Sequence, residues 1–388
     1  MARILYLSEG YSTHDRRFLE KLAQTPHEVW FLPFGKDPFP YEVRPAPLGI
    51  HQLPPLTRGS QGRGLLTWIL AAARFIRHTR VIRPDLVHAG PVQSGGFLAA
   101  LLRRYRLLVM SWGSDVLVIP DKSRFLRWLT SFTLRRAHIV VGDCEAVRQK
   151  LFSLAKLKPE QVVVFPFGIE LARFQSQRSH LDLRRQFDWE GCPVLISTRS
   201  FEPSHGTSIF IEAARRVIER HPTTKVLMLG DGSLRPQVEA FISEHALSGR
   251  VRLLGQISHD LLPDYFNEAD LYVSATYSDG TSISLLEAMA CGLPVVVPDA
   301  YGNREWVTPG VNGWLYRPGD SEALTASLCE ALENVSLRRA MGKKNRAQVC
   351  EKADWERNFN ELLKAYNRLL GNTGRKNEEV LDGTVSNR

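Results

Sequence analysis

The sequence predicts an α/β protein built from two doubly wound domains with parallel sheets. Its 388 residues are enough for two or three domains. Hydrophobic residues make up 44% of the chain, which suffices to fill a core in each domain. Short β-branched runs alternate with amphipathic helical segments along most of the chain, and this alternation is typical of consecutive βα units.

The first domain is predicted to span residues 1–170. Its strands are predicted from β-branched runs, and its helices from the segments of helical periodicity between them. The proline-rich segment 34–55 is predicted to be irregular. The predicted strands are 4–7, 28–32, 85–88, 107–110, 139–141 and 162–164, and the predicted helices are 14–23, 64–80, 97–102, 124–136 and 145–154.

The second domain is predicted to span residues 171–354, after a hinge at 166–178. An amphipathic helix at 355–371 follows it, and the polar tail 372–388 is predicted to be disordered. The predicted strands are 194–197, 225–229, 251–254, 271–274 and 295–297, and the predicted helices are 207–220, 234–245, 260–267, 322–332 and 337–350.

Composition excludes several classes of protein. The net charge of +9 favours anionic partners, but no nucleic-acid-binding module is recognisable. Five scattered cysteines without a C-x-x-C pair argue against a zinc site or a disulfide framework. The N-terminus is predicted to be a strand and not a signal peptide, and no apolar run is long enough to span a membrane. We therefore expect a cytoplasmic protein.

The stretch from Ser278 to Val297 carries the strongest functional pattern, a loop, a helix, a turn and a buried strand. If the helix starts near Ser282, the amides of Ser282, Ile283 and Ser284 are unpaired donors at its positive end, where phosphate binds readily. A carboxylate at Glu287 could accept two ribose hydroxyls. The alternative is a capped helix with Glu287 on its solvated face.

An acidic residue, Asp279, stands eight positions before Glu287, and A-M-A-C-G-L-P-V-V follows. This resembles the E-x7-E motif of the family 4 (group 1) retaining nucleotide-sugar glycosyltransferases, over about 194–369 and more loosely over 4–167. The resemblance implies a GT-B fold, in which an acceptor-side and a nucleotide-sugar-binding Rossmann-like domain face a central cleft and the helix 355–371 crosses back to the first. Asp279 stands where the family usually has the longer Glu.

The same resemblance implies a donor site. Arg199 matches the family's diphosphate-binding arginine, and His205 stands where the family has lysine, so its imidazole would carry only part of a charge at pH 7. Donor affinity is then expected to weaken as the pH rises through roughly 7 to 8. Gly230 and Gly255 match loops that lie against the nucleotide sugar, and Gly10 matches a glycine that lets the diphosphate approach closely.

On the acceptor side, the resemblance places His88 at the end of a strand as a catalytic candidate, although it could equally be a packed strand residue. Two histidines usual in the family are absent, because Gly90 and Trp112 occupy their positions. Asp115 could cap a helix or a loop, and His14 and Asp15 could touch the acceptor.

The resemblance thus implies an enzyme that transfers a sugar, with retention, from a nucleoside-diphosphate sugar to a hydroxyl acceptor: a glycan, a lipid-linked group or a small molecule. No metal or other cofactor is expected, and the diphosphate would be stabilised by protein groups. Two alternatives stay open: a catalytically silent nucleotide-sugar-binding protein, and a nucleotide-sugar epimerase with the same fold.

A basic run distinguishes the first domain. Nine arginines and a single acid, Asp85, lie between Arg58 and Arg106, with aromatic residues among them, and the segment 124–136 adds four more arginines. The common explanation is a solvated helix face. The other is peripheral docking on an anionic membrane surface, at its cytoplasmic side.

Overall fold

The computed structural model describes residues 1–35, 46–57, 64–177 and 179–371. The chain forms two compact units. Unit 1 comprises Met1–Asp143, Val147–Phe165 and the chain from Phe359 onward, and unit 2 comprises Cys144–Ala146 and Pro166–Asn358. The predicted tail 372–388 and two arginines of the basic run, Arg58 and Arg63, lie outside the described residues.

Unit 1 contains a parallel sheet of seven strands, which is the doubly wound architecture that the sequence predicts. The strands run in the order β3-β2-β1-β4-β5-β6-β7, so the direction of winding reverses between β1 and β4. Their bounds are β1 Arg3–Ser8, β2 Glu28–Pro33, β3 Ile50–Gln52, β4 Leu86–Ala89, β5 Arg106–Met110, β6 Ile139–Gly142 and β7 Val162–Val164. The strand β3 corrects the prediction of an irregular segment, because its three residues pair with β2 although prolines surround them.

The helices of unit 1 cover the sheet. Ser12 caps the first of them in a reciprocal capping box with Asp15, and Ser123 caps α5 through the amide of Leu126, so both helices begin where their sequences carry a capping residue. The helices are α1 Thr13–Leu22, α2 Leu65–Ile82, α3 Phe97–Ala100, α4 Ser114–Leu117, α5 Arg124–Arg136 and α6 Glu145–Leu154, which belongs to unit 1 from Val147 onward.

Unit 2 contains a parallel sheet of six strands in the order β10-β9-β8-β11-β12-β13. Its winding reverses between β8 and β11. The strands are β8 Val194–Ser197, β9 Lys225–Leu229, β10 Val251–Gly255, β11 Leu271–Val273, β12 Val295–Pro298 and β13 Gly313–Tyr316. The last strand was not predicted: it has four residues, and its position at the sheet edge is set by pairing with β12.

Helices flank this second sheet and bury two apolar clusters against it. They are α7 Leu183–Gln186, α8 Thr207–Arg220, α9 Arg235–Glu244, α10 Leu262–Asn267, α11 Ile283–Ala290, α12 Asn303–Trp306, α13 Ser321–Glu333 and α14 Val335–Lys352. A last helix, α15 Trp355–Gly371, belongs to unit 1 from Phe359 onward, where Phe359 packs against Phe18.

Candidate functional site

The predicted donor-site residues of unit 2 follow two neighbouring strands. Strands β8 and β11 pair in parallel, with Ile196 opposite Tyr272, and the sheet reverses its winding between them. Arg199 follows β8, and the loop from β11 to α11 carries Asp279. Ligands of open α/β sheets bind at this kind of reversal, at the carboxyl ends of the strands. The topology therefore brings the predicted residues together.

Arg199 is the centre of this cluster. Its Nη2 lies 3.0 Å from the Asp279 carboxylate, and its Nη1 lies 3.4 Å from the Ser282 hydroxyl and 3.2 Å from the Ser284 hydroxyl. Tyr272 in turn contacts Ser284, with 2.8 Å between their hydroxyl oxygens. The guanidinium is held beside the N-terminus of α11, and an anion bound there would share it with Asp279. The sequence did not reveal this ion pair.

Helix α11 begins as predicted, with Ser282 as the residue before its first turn. The Ser282 side chain makes no capping bond to the helix amides and instead contacts Arg199 and Ser284. The positive end of the helix dipole and the Arg199 guanidinium thus coincide, which is a favourable environment for a phosphate group.

Glu287 lies in the middle of α11 and is buried, with 3% of its surface exposed. The alternative of a solvated helix face is therefore wrong. Its Oε1 lies 2.7 Å from Nε2 of His259, a residue in the loop between β10 and α10. His259 was not predicted from the sequence, because it stands 28 positions before its partner and belongs to no motif.

The structure changes the expected charge of His205. Burial, and secondarily the nearby Arg199 guanidinium, lower the pKa of the His205 imidazole to about 4. Its Nδ1 contacts Ser200 twice, at 2.6 Å from the hydroxyl and 3.1 Å from the carbonyl oxygen. The expectation of a partial charge at pH 7 is wrong, because desolvation disfavours the imidazolium.

The neutral His205 imidazole leads to a prediction about how nucleoside-diphosphate affinity depends on pH. Raising a pKa from about 4 to 7 takes roughly 4 kcal/mol, more than the roughly 1.5–3 kcal/mol of one charged hydrogen bond. A bound diphosphate would therefore leave His205 mainly neutral above pH 7, and any strengthening by its proton falls at about pH 4 to 6. We expect the dissociation constant of a nucleoside diphosphate to be flat from pH 7 to 8 and unchanged within about twofold in His205→Gln. Titration calorimetry of both proteins measures it; affinity that weakens steadily across that range would show a charged imidazole.

Two glycines of the donor side make close approaches that no other residue permits. A Cβ at Gly230 would lie 2.6 Å from the carbonyl oxygen of Arg199, and one at Gly206 would lie 2.1 Å from that of Ala275, and both have positive φ angles. The Gly230 amide also donates to the Gly255 carbonyl at 2.7 Å. These contacts set the backbone path beneath Arg199 and beside His205.

In unit 1 the corresponding reversal lies between β1 and β4. Gly10 follows β1, and the Gly90 amide, just after β4, donates to the Leu7 carbonyl at 3.0 Å. The predicted site residue Gly10 and the substituted position Gly90 therefore follow neighbouring strands at the reversal, where the sheet can bind a ligand.

His88 lies in the interior of unit 1, with 1% of its surface exposed. Its Nδ1 is 2.6 Å from the Tyr366 hydroxyl of α15, and its ring packs edge-on against Tyr6. Burial lowers the pKa of its imidazole to about 3. These contacts favour the packed-residue alternative over a catalytic role, because a buried and neutral imidazole that links a strand to the last helix is positioned for packing.

Gly90 and Trp112, which replace the usual histidines, lie in contact with each other. A Cβ at Gly90 would lie 2.7 Å from the Met110 carbonyl oxygen and 3.1 Å from the indole nitrogen of Trp112, so the indole occupies the space that a side chain at position 90 would need. His14 stacks on the same indole, with ring centroids 5.7 Å apart. An imidazole is therefore present at this edge of the sheet, supplied by α1.

Asp115 binds the backbone of its own loop, as expected of a capping residue. It is buried and accepts bonds from the Val92 and Trp112 amides and from the Ser111 hydroxyl. Burial raises the pKa of its carboxyl, and these donors oppose that shift. Among the residues that the structure describes, no group of three or more His, Cys, Asp or Glu side chains is placed to hold a metal ion.

Two units with doubly wound parallel sheets define a two-domain α/β protein, and comparisons with known proteins give its family. Residues 181–348 match the model "Glycosyl transferases group 1", and residues 9–168 match "Glycosyl transferase 4-like domain". The chain belongs to the family 4 (group 1) glycosyltransferases, with the GT-B fold.

Individual relatives are distant. The chain is 23% identical to the alpha-D-kanosaminyltransferase of Streptomyces kanamyceticus over 74% of this chain and 77% of that protein. Sucrose-phosphate synthase of Thermosynechococcus elongatus has a similar structure, with a TM-score of 0.81, 21% identity and coverage of 96% and 100%. Anabaena Alr3699/HepE in complex with UDP-glucose gives a TM-score of 0.80 at 19% identity, with coverage of 95% and 100%.

Proposed function

We propose that the protein transfers a sugar, with retention, from a nucleoside-diphosphate sugar to a hydroxyl acceptor. The observation that supports this most directly is the cluster at the unit 2 reversal, where Arg199, the N-terminus of α11 and the buried Glu287 carboxylate lie together. These are a cation, a phosphate-binding helix end and a diol acceptor. The structure of Alr3699/HepE with UDP-glucose adds a nucleotide sugar as the donor class.

In the proposed reaction, the bond between the anomeric carbon and the diphosphate breaks while the acceptor oxygen bonds to that carbon on the same face. The acceptor proton passes to the departing phosphate oxygen. Arg199 and the α11 amides stabilise the charge that grows on the diphosphate, which lowers the barrier because the charge is larger in the transition state. We propose that these groups act without a metal ion.

The test is the stereochemistry of the product. Purified protein would be incubated with UDP-glucose and other nucleotide sugars, together with candidate acceptors, and the anomeric proton of the product followed by NMR. Retention supports the proposal, and an inverted product overturns it. Nucleotide-sugar binding without transfer or hydrolysis would favour the second candidate, a silent binding protein. Its support is His205 in place of the usual lysine and the absence of the usual histidines at Gly90 and Trp112.

We also propose that unit 1 docks on an anionic membrane surface, which would bring a lipid-linked acceptor to the enzyme. The first support is an apolar stripe at the start of α2. Leu65, Leu66, Ile69 and Leu70 are 80%, 70%, 55% and 48% exposed. Their spacing places them on one side of the helix. Such a contiguous apolar surface is typical of protein or membrane contacts.

An aromatic chain connects this stripe to α5. Ring contacts run from Trp68 to Phe97, Phe132, Trp128 and Phe125, with centroids 5.5 to 6.0 Å apart. Phe125 and Trp128 are 64% and 51% exposed.

Arg124 and Arg127 on the same helix are exposed as well, and Arg127 also pairs with Asp121 at 3.1 Å. Exposed aromatic rings among cations suit the boundary between headgroups and acyl chains. Some arginines of the two basic stretches are bound to the protein backbone and are less available to an anionic membrane surface. Arg74, Arg106 and Arg136 instead donate to the backbone carbonyls of Leu56, Leu370 and Ala100.

This docking makes a prediction about vesicle binding. No helix within the described ranges is both long and apolar enough to cross a bilayer, so association would be peripheral. We expect the protein to sediment with anionic vesicles at low salt and to be released as salt rises, because exposed charges are screened within about 8 Å at physiological ionic strength. The triple substitution Leu66→Ser, Ile69→Ser and Leu70→Ser should weaken vesicle binding at low salt and also at physiological salt.

The matched control is Val335→Ser, at a half-exposed apolar residue of unit 2. It should bind vesicles like the wild type. Equal binding by the triple variant would show that the stripe does not contact the bilayer, and a protein that stays in the supernatant at low salt would make a soluble acceptor the better hypothesis.

A further inference from the structure

We propose that His259 is a positioning residue for the nucleotide: it orients the Glu287 carboxylate so that the carboxylate can accept the ribose hydroxyls. This rests on the proposed function, because it assigns Glu287 to the donor ribose. The new element is a relay of three side chains, Arg173, His259 and Glu287, which lie far apart in the sequence and within one unit of the fold.

The contact between His259 and Glu287 is short and protected from water. His259 Nε2 lies 2.7 Å from Glu287 Oε1, and the two side chains are 13% and 4% exposed. A carboxylate has about four lone-pair sites on its two oxygens. One bond from His259 therefore leaves lone pairs free to accept bonds from a vicinal diol. The same bond sets the orientation of the carboxylate plane.

Arg173 fixes which nitrogen of His259 carries the proton. Its Nη1 lies 3.1 Å from His259 Nδ1. A guanidinium can only donate, so Nδ1 accepts this bond, and the ring proton is on Nε2, facing Glu287. The relay thus presents a donor to the carboxylate in one tautomer.

The relay is itself held in place. Arg173 pairs with Glu170 at 3.1 Å and with Asp260 at 3.0 Å, so its guanidinium is fixed on both sides. The Phe174 ring packs against the imidazole, with centroids 5.3 Å apart. Two loops therefore meet at α11, and the terminal torsion of Glu287, which is otherwise broad, is restricted.

The orientation of Glu287 by His259 should be measurable as affinity for nucleotides that carry ribose hydroxyls. A carboxylate that turns freely must be ordered when the diol binds, and without its donor partner it is also a less favourable buried charge. Loss of the His259 donor should weaken binding of UDP by roughly five- to tenfold, about the size of one hydrogen bond. A nucleotide without ribose hydroxyls should not be affected.

The experiment compares two amide substitutions. His259→Gln places its amide nitrogen near the position of Nε2 and can still donate to Glu287, whereas His259→Asn reaches only the Nδ1 position. Dissociation constants would be measured by calorimetry for UDP and for 2′,3′-dideoxy-UDP. We expect His259→Asn to lose five- to tenfold for UDP and nothing for the dideoxy nucleotide, and His259→Gln to remain close to the wild type. His221→Asn is the matched control, since it removes a histidine of unit 2 that pairs with Glu333 on the surface at 3.7 Å.

Three results would overturn the proposal. Unchanged UDP binding in His259→Asn would show that Glu287 needs no orientation, and tighter binding would show that His259 competes with the ribose. An equal loss for both nucleotides would indicate a general structural role. Failure of the proposed function is seen separately in the wild type, which would then bind no nucleoside diphosphate in a panel of UDP, GDP and ADP.

Discussion

Arg199→Ala is expected to lower the turnover number by about 10²–10³-fold, the usual effect of removing one group that stabilises developing negative charge. The guanidinium lies beside the N-terminus of α11, with Nη1 within 3.4 Å of two serine hydroxyls. The charge it meets grows as the sugar–phosphate bond breaks, so the rate should fall more than the affinity for the free nucleoside diphosphate. Initial rates with a nucleotide sugar and calorimetry with UDP measure the two effects.

The control for this experiment is Arg304→Ala. Arg304 is an exposed arginine of unit 2 that pairs with Asp299 at 2.6 Å, and its loss should leave turnover unchanged. Arg199→Lys should recover only part of the rate, because an ammonium cannot make two parallel bonds to a phosphate. Normal turnover in Arg199→Ala would remove this residue from the mechanism.

Glu287→Ala is expected to weaken nucleotide binding by about 10–150-fold, which corresponds to the roughly 1.5–3 kcal/mol of a hydrogen bond to a charged group. The carboxylate is buried in α11, so its contribution is not screened as it would be at an exposed position. Calorimetry with UDP gives the dissociation constant, and circular dichroism establishes that the variant is folded.

Glu333→Ala provides the comparison. Glu333 is another glutamate of unit 2 that faces a histidine, His221, but its side chain is 63% exposed. We expect no change in nucleotide affinity there. Equal affinity in wild type and folded Glu287→Ala would refute the ribose assignment, and with it the role proposed for His259.

Local sequence patterns predicted most of the fold. The alternation of β-branched runs and amphipathic segments predicted the doubly wound sheets, since side-chain periodicity follows directly from backbone geometry. It failed at β3 and β13, which are short strands on sheet edges, where pairing with a neighbour replaces a pattern of their own. The start of α11 after Ser282 was also predictable, because its strong helix formers follow a polar, glycine-containing lead-in.

The sequence by itself determined that Arg199 follows a strand and that Glu287 lies within a helix, and its resemblance to the family predicted that both residues belong to a donor site. Only the tertiary structure decided what those residues contact. The pairing of His259 with Glu287, the neutral state of His205 and the fit of Trp112 beside Gly90 depend on packing between segments distant in the chain. The physical reason is that burial and partner distance set protonation and orientation, and neither is encoded in local spacing.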